Sequence, residues 1–378
     1  MAHDHSTPAP ARTGHWRLPA SLPAWSLAGP LLAALAVLAL ALAAGLPLGI
    51  GLGTLLTAAL FGAVMSAIHH AEVVAHRVGE PFGTLVLAVA VTVIEVALIV
   101  TLMLAGGEQA NALARDTVYS AIMIVCNGIV GLCMVIGAAR HGVLAYRVDG
   151  TSPALAALAA LAGLALVLPN FTTTTPGPTY SGAQLAFAGV ASLTLYGVYV
   201  FVQTVRHRDY FLPVDQSDHD AHLPPPPNGV AWAAFGLLLL SLVGVVGLAK
   251  ALAPALEAGV ASIGAPKSLV GVLIALIVLL PETGAAVRAA RGNRMQSSLN
   301  LALGSGLASI GLTIPVVAAM SPLFPFPLVL GMPPMQIVLL TLSLLVGAIT
   351  LGSGRATVLH GAVHLVLFGA FLFLAVVP

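Results

Sequence analysis

Apolar runs of about 20 residues, separated by short polar or Gly- and Pro-marked joins, recur along almost the whole chain. At 1.5 Å per residue, a helix of that length matches the ~30 Å hydrocarbon layer of a bilayer. The pattern predicts an all-α polytopic membrane protein with about eleven transmembrane helices. They fall at 29–44, 48–69, 82–105, 117–138, 153–168, 183–203, 230–253, 268–290, 297–320, 335–351 and 356–377. The longest polar join, 206–228, holds Asp215, Asp218, His219, Asp220, His222 and a run of prolines at 224–227.

Two of these helices carry a carboxylate near the middle. Glu282 follows an almost wholly apolar stretch, 272–281, and Glu95 lies centrally in 82–105. A charge at that depth costs roughly 2.5–3.5 kcal/mol on insertion scales, so such residues face a partner or a water-filled cavity. Pro281 has no N–H to offer and frees the carbonyl of Ile277, which adds an oxygen beside Glu282.

Aligning Glu95 with Glu282 brings the next helices into register. Ser120, Asn127 and Gly131 then lie over Ser298, Ser305 and Ser309, each set at i, i+7 and i+11 on one helical face. The pattern is an internal repeat. It divides the chain into a cytoplasmic N-terminal tail (1–28), a first transmembrane helix (29–45), a five-helix repeat (46–205), a cytoplasmic linker (206–228) and a second five-helix repeat (229–378).

Composition agrees. Hydrophobic residues make up 59% and charged ones 7%, at a mean hydropathy of +1.03. That excludes a soluble domain of this size, and a net charge of +1 without a basic patch leaves no nucleic-acid partner. Cys126 and Cys133 stand seven residues apart, about 10.5 Å along a helix, too far for a disulfide. His3, His5 and His15 read as part of a polar tail.

Loop charge sets orientation. With the N-terminus cytoplasmic, all but three of the 14 Lys and Arg residues fall on the cytoplasmic side; Arg115, Lys250 and Lys267 are the exceptions. The C-terminus is then external, the membrane is the cytoplasmic (inner) one, and two five-helix repeats must be inverted. Inverted repeats with ion sites at their midplane interface are a construction of secondary transporters.

Two carboxylates facing each other in a low-dielectric cavity take either a cation or protons. Ca2+ wants six to eight oxygens, so hydroxyls, amides, carbonyls and water must complete the shell. Thr92, Asn127, Ser298 and Ser305 are the candidates beside Glu95 and Glu282. No central thiolate or imidazole is placed to favour Zn2+ or Cu+. Mutually exclusive binding of cation and proton is an antiport mechanism. The chain therefore reads as a transporter and not an enzyme, with no cofactor and with Ca2+ as the transported ion.

His69, His70, Glu72, His76 and Glu80 cluster at the cytoplasmic end between the second and third helices. They read as a proton-collecting vestibule, as a metal site through Glu72 and His76 at i, i+4, or as ordinary interfacial polar groups. His360 and His364, also i, i+4, read as packing or interfacial residues.

The segments HHAEVVAHRVGEPFGT (69–84), TVIEVALI (92–99), Pro281-Glu282 and LNLALGSGLASIGLTIP (299–315) resemble the bacterial ChaA-type calcium/proton antiporters, in the CAX branch of the calcium/cation exchanger superfamily. The resemblance covers the second to ninth helices. It implies that Glu95 and Glu282 are the paired transport carboxylates, with Ca2+ exported against H+ by alternating access, and Na+ or K+ as further cargo in some members. Where the broader CAX pattern has Gly-Asn before each Glu, this chain has Val91-Thr92 and Val278-Leu279. Two other classes stand beside this reading. A passive cation channel would also use buried acids. An intramembrane metalloprotease would need His-Glu-x-x-His, and His70, Glu72 and His76 have the wrong spacing.

Overall fold

A computed structural model describes residues 22–42, 50–78, 82–212, 225–262, 264–324 and 326–377. The tail histidines, the Asp/His part of the linker and Glu80 lie outside the described residues. The chain is helical in the order α1 (Ala24–Leu42), α2 (Ile50–Val78), α3 (Phe82–Gly106), α4 (Leu113–Met123) and α5 (Val130–His141). There follow α6 (Val148–Ala162), α7 (Gly182–Phe201), α8 (Asn228–Ser262), α9 (Ser268–Arg291), α10 (Met295–Met320), α11 (Pro334–Leu351) and α12 (Val358–Val376). A π-turn over Ile124–Ile129 joins α4 and α5 into one rod, Leu113–His141. The residue pairs Leu144–Ala145 and Arg355–Ala356 form a short antiparallel ladder, with Leu144 opposite Ala356.

Among the described residues, 9 helices are long and apolar enough to cross a membrane, or 10 with the bent α9 counted as one span. The first apolar helix falls short over its stretch Ala24–Val37. Among the described residues the tally is nine or ten, with this shorter apolar helix beside it. Two boundaries move outward. The second helix runs on to Val78 through the polar stretch expected as a loop, because no Pro or Gly interrupts 68–78. The fifth begins at Val148 and, with its irregular end, reaches Asn170.

Helix ends follow local chemistry. Ser181 caps α7 in a capping box with Gln184, and the Thr357 hydroxyl accepts from His360 N at the start of α12. Pro333 and Pro334 open α11, where a missing N–H costs nothing.

Neighbouring helices exchange in pairs between the halves α2–α7 and α8–α12. The first helices, α2 and α8, pack on each other; α3 on α10 answers α9 on α4; α7 on α10 answers α12 on α5; α6 meets α11. The two halves are therefore related by an approximate twofold, with the rod α4–α5 and α10 crossing at the centre. Small residues allow that crossing. A Cβ at Gly306 would lie 3.2 Å from Val125, and one at Gly311 would lie 2.7 Å from Tyr196 on α7. Without a hydrophobic drive between helices in lipid, close approach of this kind holds the bundle.

Candidate cation site

Glu95 sits mid-way along α3, 3% exposed, with Thr92 buried one turn before it. The Ser309 hydroxyl, on α10, donates to Glu95 Oε1 at 2.6 Å. Glu282 is 7% exposed, and its Oε2 is buried without a hydrogen-bond partner among the described residues. The helices that carry the two carboxylates, α3 and α9, pack against each other.

The backbone at Glu282 is broken in the way Pro281 requires. The segments Ser268–Leu280 and Glu282–Arg291 are bent by 49°. At that bend the Thr283 hydroxyl turns back to donate to the Leu279 carbonyl at 2.7 Å.

The expected companions divide. Ser309, matched in the repeat but left off the ligand set, is the hydroxyl that touches Glu95. Its place one turn beyond Ser305 on the same face was the available signal. Ser298 is a correction: it lies eleven residues from Ser309 on a continuous helix, about 16 Å along the axis, so the two cannot share an ion. Its buried hydroxyl has no partner among the described residues. Ser305 is half-buried, one turn from Ser309. Asn127 is buried, but its amide is turned away: Nδ2 donates to Ser343 Oγ at 2.8 Å, and Oδ1 lies 3.3 Å from His364 Nδ1.

The histidine cluster also divides. His70 is fully buried, with Nε2 2.8 Å from the Ser26 carbonyl, which also accepts from the Ser66 hydroxyl at 2.5 Å. The His69 ring lies 5.0 Å from that of Trp25. These two histidines dock α1 onto α2, His70 buried and His69 half-buried. Glu72 and His76 are exposed, and the described residues hold no cluster of metal-ligating side chains.

The pattern of sodium/calcium exchanger proteins matches this chain twice, over residues 45–205 and 233–377. The chain belongs to the sodium/calcium exchanger family. The family is one of multi-pass membrane transporters, and its two matched stretches coincide with the halves that the helix contacts pair. The chain is 51% identical over 321 residues to the putative ionic transporter y4hA of Sinorhizobium fredii, covering 84% of this chain and 86% of that one. It is 36% identical over 314 residues to the sodium-potassium/proton antiporter ChaA of Escherichia coli, covering 82% and 84%. In fold it is similar to native YfkE, with a TM-score of 0.69 at 17% identity, over 94% of this chain and 99% of that one. A second likeness is to the H+/Ca2+ exchanger CAX, with a TM-score of 0.67 at 16% identity, over 92% and 87%. At such identities the structural likeness shows the fold.

Proposed function

We propose that the chain is a cation/proton antiporter that exports Ca2+ in exchange for H+ by alternating access, with both ions competing for Glu95 and Glu282. The observation that carries this is the buried carboxylate pair: Glu95 is held by Ser309, while Glu282 keeps an oxygen with no hydrogen-bond partner among the described residues. An empty site holding two negative charges is costly at low dielectric. A divalent cation cancels both charges, and so do two protons, so the carrier crosses its cycle loaded with one or the other. In that limit two protons replace one Ca2+ and the exchange moves no net charge.

Ca2+ at this site would draw on Glu95, Glu282, the hydroxyls of Ser309 and Thr92, backbone oxygen at the Pro281 bend, and water. Glu72, exposed on the last turns of α2, a helix that packs on α9, is the acid that would pass ions between the cytoplasm and the pair. The similarity to a sodium-potassium/proton antiporter supports Na+ or K+ as a second cargo reading. Orientation follows from the arginine count: N-terminus cytoplasmic and C-terminus external, in the inner membrane.

The deciding experiment uses purified protein in sealed liposomes. An imposed pH gradient should drive Ca2+ uptake against its own gradient, and a survey of cations should show which of Ca2+, Na+ and K+ collapse the pH gradient. Cation movement only down its own gradient would identify a channel.

A further inference from the structure

His364 on α12 is 1% exposed and has no part in the chemistry above. Its Nε2 lies 2.8 Å from Thr350 Oγ1, and its Nδ1 lies 3.3 Å from Asn127 Oδ1. The directions of these bonds can be worked out from the partners. The Ser343 hydroxyl gives its hydrogen to the Leu339 carbonyl at 2.7 Å, so its oxygen can only accept from Asn127 at 2.8 Å. The amide nitrogen of Asn127 therefore faces Ser343, and its oxygen faces the ring. An amide oxygen only accepts, so Nδ1 carries the hydrogen. The Thr350 hydroxyl donates to the Val346 carbonyl at 2.8 Å and lies at the same distance from Nε2, so the ring bridges Asn127 on the rod and Thr350 on α11.

Asn127 stands in the π-turn Ile124–Ile129, which interrupts the α4–α5 rod. A π-turn has a wider ring of backbone bonds than an α-turn and is a rare, single-turn feature. Here it is gripped from outside. Gly131 lets α12 come down on the rod, since a Cβ there would lie 2.9 Å from His364 Cβ, and Ser343 holds the turn from α11. The opposite side of the turn packs against α9, which carries Glu282, and α10, which carries Ser309.

We propose that His364 is a positioning residue for exchange: with Ser343 it fixes Asn127 and so sets the π-turn behind the helices bearing Glu282 and Ser309. This inference rests on the antiport reading. A turn held in place beforehand need not be ordered when the cation binds, so the effect belongs in apparent affinity and not in turnover.

The test measures cation-dependent collapse of a pH gradient in proteoliposomes, with KM and Vmax taken separately, on variants that elute as a single folded species. Exchange by the unaltered protein comes first; its absence counts against the antiport reading and not against the role of His364. Given that exchange, His364→Leu should raise the apparent cation KM by about fivefold, the scale of one buried hydrogen bond, and leave Vmax within about twofold. His364→Gln should recover most of the loss, because its amide can donate to Asn127 and still bond with Thr350. Asn127→Leu should give a similar shift, and the double variant should add nothing to it. A folded His364→Leu with unchanged KM, a Gln variant no better than Leu, or additive shifts would each overturn the proposal. Should His364→Leu fail to fold, Ser343→Ala and Thr350→Val remove one partner each; unchanged KM in both would overturn it equally.

Discussion

At the scale of single residues, the exchange rests on two carboxylates and one hydroxyl. Glu95→Gln and Glu282→Gln keep size and lose charge, so each should abolish exchange while folded protein still reaches the membrane. Near-normal exchange by either variant would remove the two-carboxylate site. Ser309→Ala takes away the 2.6 Å bond to Glu95. Bonds to charged groups contribute about 1.5–3 kcal/mol, so apparent cation affinity should fall by about tenfold or more. An unchanged affinity would mean that water replaces the hydroxyl without loss. Because the carboxylates must be deprotonated to hold a cation, acid should weaken apparent Ca2+ affinity, and saturating Ca2+ should restore the rate. If acid lowers the maximal rate and leaves affinity alone, protons act elsewhere on the chain.

At the scale of helices, close backbone approach places these residues. A Cβ at Gly361 would lie 2.6 Å from the Gly131 carbonyl and 2.7 Å from Val135 N. Both are backbone atoms and cannot rotate aside, so Gly361→Ala must push α12 off α5. Overpacking of this kind costs about 1–3 kcal/mol. The variant should show a lower thermal midpoint in detergent, and an unchanged midpoint would place α12 farther from α5. The bend in α9 was legible beforehand, since Pro281 beside Glu282 cannot complete the helical ladder. The π-turn at Asn127 was not, since 124–129 holds no proline and a single glycine, Gly128, inside an apolar helix does not announce a wider turn.

At the scale of the molecule, the two halves pack on each other through corresponding helices. With an odd number of spans in each half, the second is expected to be inverted against the first. A reporter placed after Pro378 should therefore lie outside the cytoplasm, and one inserted near Asp218 should lie inside it. Both reporters on one side would break the inversion and, with it, the argument that Glu95 and Glu282 approach the midplane from opposite sides.

The sequence by itself determined the membrane class, and it led to the expectation of a repeat with a glutamate midway along one helix of each half. Those follow from run length and from the cost of a buried charge, which are properties of each helix alone. It also marked Ser309, through spacing, as sharing a face with the polar residues of α10. Tertiary structure alone decided the partners. Helical periodicity fixes a face but not which neighbour meets it, and helices apolar on nearly every side leave that choice to small-residue contacts. Ser309 therefore reaches Glu95 while Ser298, on the same face, lies too far along the axis. His70 turns to Ser26. Asn127, expected at the cation, is held by Ser343 and His364, because the π-turn and the glycine at 131 bring α12 onto it.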